Sequence, residues 1–208
     1  MTLIPDLTAY IKARIAEFDD ISPLRQRELR ELARHVGEQR DRKQEAHLIF
    51  ICTHNSRRSH LAQVWAQVGA AYYGIDHLHA YSGGTEATAF NPRAVWALME
   101  AGFEIEKAHN EHNPLYTLTF SSAREPLQCF SKRFDDPVNP QKGFGAVMTC
   151  SDADEACPLV PGASARFAIR YVDPKLADNT PAEAETYLER CRQIAREMLF
   201  ALSSVPRN

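Results

Sequence analysis

Cys52, Arg58 and Ser59 lie within one short segment, Cys52-Thr53-His54-Asn55-Ser56-Arg57-Arg58-Ser59, and their chemistries are complementary. A cysteine thiolate is a strong nucleophile, and an arginine guanidinium is a permanently charged planar fork that meets two oxygens of an oxyanion at once. Ser59 can donate its hydroxyl to the thiolate or to a leaving thiol. Asn55 has a short amide that can tie a loop together, and it tolerates left-handed backbone geometry. The chemistry this points to is attack by Cys52 on a tetrahedral oxyanion held by residues Thr53, His54, Asn55, Ser56, Arg57 and Arg58. The competing reading is a core cysteine beside arginines that merely begin a solvated helix. A bare Cys-x5-Arg arises often by chance, so the context has to decide.

That context is a buried strand leading into a helix. Leu48, Ile49, Phe50 and Ile51 form a short continuous apolar run, as a buried parallel strand requires. Leu61, Val64, Trp65, Val68 and Tyr72 then mark the apolar face of a helix. A loop entering a helix N-terminus aims several backbone N–H groups at one point, which favours an anion there and equally a thiolate. His77 to Ser82 reads as a second strand, ending at Gly83-Gly84, and Phe144 to Thr149 as another. Asn91-Pro92 starts a helix that Gly102 stops, and Thr180-Pro181-Ala182-Glu183 combines an N-cap, a helical proline and a capping-box glutamate. Strands alternating with helices imply an α/β fold with a parallel sheet and helices on both faces. In such sheets ligands bind beyond the carboxyl ends of the strands. Cys52 and Cys150 each fall at such an end.

The five cysteines are Cys52, Cys129, Cys150, Cys157 and Cys191. An odd number, behind a start (Met1 to Asp20) with no basic n-region and no long apolar stretch, argues against a disulfide framework and for a cytoplasmic location. On spacing alone, Cys150 and Cys157 read equally well as reactive thiols or as buried residues flanking an acidic turn. Cys191 sits on the apolar face of the last helix and Cys129 between Gln128 and Phe130, so both read as packing, as do Trp65 and Trp96. Asp173, before Pro174, is either a proton donor or a turn starter. His77, His79, His109 and His112 form no recognisable ligand set, and no metal is expected.

Leu7, Ile11, Ile15 and Phe18, then Leu24, Leu29, Leu32 and Val36, recur at helical spacing, with Ser22-Pro23 opening the second helix. Residues 1–45 thus read as a helical extension, packed on the main domain or on a second subunit, and 46–208 as the α/β domain. Prolines divide residues 113–142 into short apolar clusters, an inserted hairpin or long loop that could form a lid or a homodimer contact. With a net charge of -3 and scattered basic residues, nucleic acid is not an expected partner. No apolar run approaches the ~20 residues that span a membrane.

The Cys52–Ser59 segment resembles the phosphate loop of low-molecular-weight protein tyrosine phosphatases, and more closely that of the thioredoxin-coupled arsenate reductases built on the same fold. Tyr81-Ser82-Gly83-Gly84-Thr85-Glu86 resembles the family's second strand and turn, and Asn91-Pro92-Arg93-Ala94 through Gly102-Phe103-Glu104-Ile105 its next helix and exit. Val172-Asp173-Pro174 is similar to the Asp-Pro that carries the general acid. Cys150-Ser151-Asp152-Ala153-Asp154-Glu155-Ala156-Cys157-Pro158 resembles the redox segment of the reductases, which simple phosphatases lack. The resemblance implies a four-stranded parallel sheet with helices on both faces. It also implies that Cys52 attacks arsenate, that Cys150 releases arsenite by taking Cys52 into a disulfide, and that Cys157 takes over that disulfide for a thioredoxin-like reductant, with no bound cofactor. Two departures are His54, where these loops commonly have glycine, and Arg57, where many have cysteine. Gln63 stands where the potassium site of some reductases has an acidic residue, so that site is not carried over. Three functions follow: arsenate reduction, phosphate-monoester hydrolysis through a phosphocysteine, and non-catalytic oxyanion or redox sensing.

Overall fold

The computed structural model describes residues 3–108, 112–156 and 159–206. The chain opens with helix α1 (Pro5–Ile15), a 3-10 turn at Phe18–Asp20 and helix α2 (Pro23–Asp41). The Ser22 hydroxyl accepts the Arg25 N–H at 3.3 Å, and Pro23 takes the first helical position, where no N–H is needed. Leu29, Leu32, Ala33 and Val36 bury the inner face of α2. Leu24, expected on that face, is 60% exposed. The buried stripe runs back through Arg25 instead, whose packed stem takes the place Leu24 was expected to fill.

Strand β1 (Ala46–Cys52), helix α3 (Arg58–Tyr73), strand β2 (Leu78–Gly84) and helix α4 (Pro92–Glu100) follow. Gly74, at φ 71°, ends α3 in the left-handed conformation that glycine adopts without strain. The Asn91 side chain accepts the Arg93 N–H at 2.9 Å to start α4. Strands β3 (Glu104–Lys107), β4 (Tyr116–Thr119) and β5 (Leu127–Cys129) make a separate antiparallel sheet in that order. Strand β6 (Phe144–Met148), helix α5 (Ser151–Ala156), strand β7 (Ala163–Ala168), a 3-10 turn at Pro174–Ala177 and helix α6 (Glu183–Ser203) complete the chain. The cap expected from Thr180 is displaced. Its hydroxyl accepts the Ala182 N–H at 3.3 Å within a turn, while the Glu183 carboxylate accepts the Asn179 N–H at 2.6 Å, and α6 begins at Glu183.

The main sheet is parallel in the order β2-β1-β6-β7. From β1 the chain crosses to β2 on one side and reaches β6 only later on the other. The carboxyl ends of β1 and β6 are therefore the switch point where a ligand crevice opens. Alternation along the strands splits the core in two. Leu48, Phe50 and Val147 join the larger cluster with α1, α2, α3, α4 and α6, whereas Ile49, Ile51, Ala146 and Met148 join a smaller one with Cys52, Cys150, Ala153 of α5 and Phe134. The first two helices pack on α6 and place Leu7, Ile11, Leu29 and Leu32 in the larger cluster.

Residues 113–142 are not a free flap. After the β4–β5 hairpin the chain returns along the edge of β2, where Gly84 N–H donates to Lys132 O and Phe134 N–H to Gly84 O, both at 2.9 Å. A side chain on Gly83 would lie 2.3 Å from the Phe134 backbone, so only glycine permits this approach. Among the described residues, no helix is long and apolar enough to cross a membrane.

Candidate active site

Cys52 is the last residue of β1 and Arg58 the first of α3, so the intervening loop joins a strand end to a helix start. Asn55 turns that loop in a left-handed conformation, φ 44°. The loop carbonyls are bonded outward. Thr53 O accepts Glu86 N–H at 2.8 Å, His54 O accepts the Ser131 and Thr88 hydroxyls at 3.1 Å each, and Ser56 O accepts Asn91 N–H at 2.9 Å. Peptide planarity turns the N–H groups of His54, Asn55 and Arg57 to the opposite side. The result is a cradle of amide hydrogens at a helix N-terminus, which attracts an anion.

The side chains around it are largely buried. Cys52 Sγ lies 3.1 Å from the Ser59 hydroxyl, and that oxygen accepts Asn55 Nδ2 at 2.9 Å. Arg58 donates to Tyr171 O at 3.1 Å and to the Asp173 carboxylate at 2.6 Å, while its Nε has no hydrogen-bond partner among the described residues. Arg57 reaches toward α6 and the Asp173 turn, 4.0 Å from the Asp173 carboxylate and 3.5 Å from that of Asp178. It donates to the Tyr187 hydroxyl at 2.8 Å, and that hydroxyl donates to Asp178 at 2.7 Å. Burial, with the Asp178 carboxylate beside it, pushes the Tyr187 hydroxyl up to about 12. His54 is half-buried, with Nε2 3.7 Å from Glu86. Ser56 reaches outward too, its hydroxyl donating to Ala89 O at 2.8 Å.

Cys150 is fully buried just beyond β6, and its Sγ lies 3.6 Å from the Thr53 hydroxyl. It also accepts the Ala153 N–H of α5 at 3.4 Å. Cys52 and Cys150 thus belong to one buried cluster at the carboxyl ends of adjacent strands. Cys157 lies outside the described residues. A cleft of about 410 Å³, lined by Arg58, Ser151, Asp152, Tyr171 and Asp173 among others, opens between the loop and α5. The remaining thiols are set apart. Burial pushes Cys129 and Cys191 up to about 12, and Cys191 accepts the Trp65 indole N–H at 3.3 Å. Among the described residues, no group of His, Cys, Asp and Glu side chains is arranged to hold a metal ion.

Several members of this constellation carry no signal in the sequence. Tyr187 and Asp178 hold Arg57, and Ser131 holds the loop from 77 residues away. Tyr187 lies on the apolar stripe of its helix and reads as core. The one hint is that a buried tyrosine needs a partner for its hydroxyl. Arg25 of α2 lies over the Tyr171 ring at 5.0 Å, so the first helices help to fix the segment leading to Asp173.

Comparison with known proteins agrees with this geometry. Residues 47–114 match the family model described as low molecular weight phosphotyrosine protein phosphatase. Arsenate reductase of Bacillus licheniformis is 30% identical over 148 residues, which cover 70% of this chain and 86% of that protein. Arsenate reductase of Halalkalibacterium halodurans has the same identity and coverage. A crystal structure of a YwlE mutant from Bacillus subtilis superposes with a TM-score of 0.53 at 14% identity, covering 76% of this chain and 97% of that one. The low molecular weight protein tyrosine phosphatase of T. tengcongensis gives 0.52 at 17% identity, covering 76% and 99%. These two structural likenesses speak for the fold. A loop bearing Cys52 and Arg58 between β1 and α3, a four-stranded parallel sheet and relatives at this identity and coverage lead to one conclusion: the chain belongs to the low molecular weight phosphotyrosine protein phosphatase superfamily, on the side of its arsenate reductases.

Proposed function

We propose that the protein reduces arsenate to arsenite by a thiol cascade starting at Cys52. The observation that carries this reading is the second thiol: Cys150 shares a buried cluster with Cys52 at the ends of adjacent strands, and phosphate-ester hydrolysis has no use for it. Arsenate sits in the loop with its oxygens toward the amide groups and Arg58. The Cys52 thiolate attacks arsenic, forming an S–As bond as an As–O bond breaks and the oxygen leaves as water after taking a proton. In this reading Asp173, whose carboxylate lies 2.6 Å from Arg58, supplies that proton. The Cys150 thiolate then attacks the Cys52 sulfur. An S–S bond forms, the S–As bond breaks, and its electron pair stays on arsenic, which leaves as arsenite. Cys157 attacks Cys150, freeing Cys52 as a thiolate and leaving a 150–157 disulfide. An external dithiol of the thioredoxin type reduces that disulfide, in a reducing compartment such as the cytoplasm.

A second reading, hydrolysis of phosphate monoesters through a phosphocysteine, is favoured by the same Asp173, which would serve as acid and then as base. It needs Cys52, Arg58 and Asp173 but neither relay thiol. The deciding experiment follows arsenite production with thioredoxin, thioredoxin reductase and NADPH, comparing wild type with Cys150→Ser and Cys157→Ser. Aryl-phosphate hydrolysis is measured on the same three proteins. Arsenate turnover that both substitutions abolish supports the cascade. No arsenate turnover, with equal aryl-phosphate hydrolysis by all three, makes the protein a phosphatase. Anion binding without turnover of either substrate makes it a sensor.

A further inference from the structure

The inserted segment 130–134 reaches the nucleophile through a chain of three hydrogen bonds. Lys132 N–H donates to Asn55 Oδ1 at 2.8 Å, Asn55 Nδ2 meets the Ser59 hydroxyl oxygen at 2.9 Å, and that oxygen lies 3.1 Å from Cys52 Sγ. A backbone N–H can only donate, so the Asn55 atom facing it must be the carbonyl oxygen. The other end of the amide is then the NH2 group, and Ser59 must accept from it. A hydroxyl has one proton to give. With its oxygen accepting from Asn55, Ser59 directs that proton to its remaining neighbour, the Cys52 sulfur.

The segment that starts this chain is held from both sides. Asn113 and Ser131 exchange hydrogen bonds, the Ser131 N–H donating to Asn113 Oδ1 at 3.1 Å and Asn113 Nδ2 to Ser131 O at 2.8 Å. The Ser131 hydroxyl donates to His54 O and accepts Thr88 N–H at 2.8 Å. Lys132 O and Phe134 N–H pair with Gly84 at the end of β2. Asn55 and Ser59 are fully buried, so water does not compete for either group.

We propose that the insert is a positioning element of the active site: the Lys132 backbone N–H sets the Asn55 amide, and through it aims the Ser59 proton at the Cys52 sulfur. This rests on Cys52 being the nucleophile. The insert stabilises the thiolate rather than the substrate, and it does so through its backbone, while the buried Lys132 side chain turns instead to Phe130. A hydroxyl proton aimed at sulfur favours the charged form, whereas one turned away leaves the thiol without a donor.

The test reads the thiolate and not arsenate turnover, so it stays informative whichever substrate proves correct. Iodoacetamide alkylation of Cys52 is followed against pH by mass spectrometry for wild type, Lys132→Pro, Ser59→Ala and the double variant. Proline at 132 deletes the N–H and keeps the carbonyl that Gly84 uses. The expected result is a profile displaced upward by about one pH unit in Lys132→Pro, the size of one hydrogen bond to a charged group. In the Ser59→Ala background the proline should add no further displacement, because the proton it steers is gone. An equal displacement in both backgrounds, or none in either, overturns the proposal. If Lys132→Pro does not fold, amide NMR of the unmodified chain gives the answer. The Lys132 amide should shift with the Cys52 titration, and more than the Ser131 amide, which donates to Asn113. The shift should vanish in Cys52→Ser. A Lys132 amide indifferent to that titration overturns the proposal equally.

Discussion

On the proposed cascade, removing the Asp154 carboxylate should speed disulfide formation between the relay thiols while lowering overall stability. Asp154 lies in the middle of α5, its side chain only 5% exposed, and it pairs with Arg166 of β7 and with Arg170. These contacts hold α5 against the sheet. A helix rises ~1.5 Å per residue, so cysteines seven residues apart on one helix stand about 10 Å apart, beyond the ~7 Å a disulfide tolerates. The described residues between the two cysteines, Ser151–Ala156, are helical, so on the proposed cascade we expect formation of the 150–157 disulfide to go with opening of α5. Removing one partner of a fully buried ion pair costs about 3–5 kcal/mol, and of an exposed one about 0–1. The arginine side chains here are 31% and 54% exposed and regain water, which places Asp154→Ala near 1–2 kcal/mol. Alanine returns about 0.5 kcal/mol through its higher helix propensity. A net loss of about 1 kcal/mol raises the open population of α5 about fivefold. The assay is a single turnover: arsenate is added to reduced protein without reductant, and thiol loss is followed by rapid quench with DTNB. Thiol loss about five times faster than wild type, with a lower Tm, is the expected outcome. A lower Tm with unchanged or slower thiol loss would refute the idea that the Asp154 pairs hold the relay closed.

Tyr187→Phe removes the hydroxyl that joins Arg57 to Asp178. It should lower kcat/KM about fivefold, roughly one lost hydrogen bond, through looser placement of the Asp173 turn. Steady-state kinetics on folded protein check this, and an unchanged kcat/KM refutes it. Burial holds His60 well below its ordinary value. The unfolded chain therefore takes up a proton below about pH 6.5 that the folded chain refuses, and stability falls with acid by up to ~1.4 kcal/mol per pH unit. That loss is absent above pH 6.5 and grows until the folded-state value is reached. Thermal melts from pH 7.5 to 5 should show a shallower decline in His60→Gln, and parallel curves exclude the effect. Cys129 and Cys191 are buried thiols set apart from the loop, so Cys129→Ala and Cys191→Ala should keep arsenate turnover near wild type. Native alkylation read by mass spectrometry should reach Cys52 before either.

The Cys52–Arg58 loop is legible in the sequence because its signals are local. An apolar run, a polar loop and an amphipathic helix follow one another within about thirty residues, and only short-range periodicity is needed to place them. The second thiol is legible as well, since Cys150 falls at the end of an equally plain strand, Phe144–Met148. Strand β7 is harder to see. Ala163-Ser164-Ala165-Arg166-Phe167-Ala168 alternates half-buried and exposed positions with mostly small residues, so its hydrophobic contrast is weak. Helix α5 reads as an acidic turn because its six residues are too few for a periodic signal. The partners of Arg57 and of Asn55 are invisible for another reason. Tyr187, Asp178 and Lys132 come from 77 to 130 residues away, and no local pattern encodes which distant hydroxyl or amide will arrive. Leu24 shows the opposite limit, where an apolar residue near the right spacing lies out of phase with the stripe that is buried.

The order of elements along the chain has a consequence for biosynthesis. Helix α6 comes last, yet it packs on α1, α2, α3 and α4 and supplies Tyr187 to the loop arginine. Ribosomes add about 5–20 residues per second, so on the order of ten seconds separate the synthesis of Cys52 from that of Tyr187. During that interval the faces of α1, α2, α3 and α4 that α6 covers in the finished fold stay open to solvent. A messenger truncated before codon 183 would yield a polypeptide with its thiol and arginines all present and no scaffold to arm them.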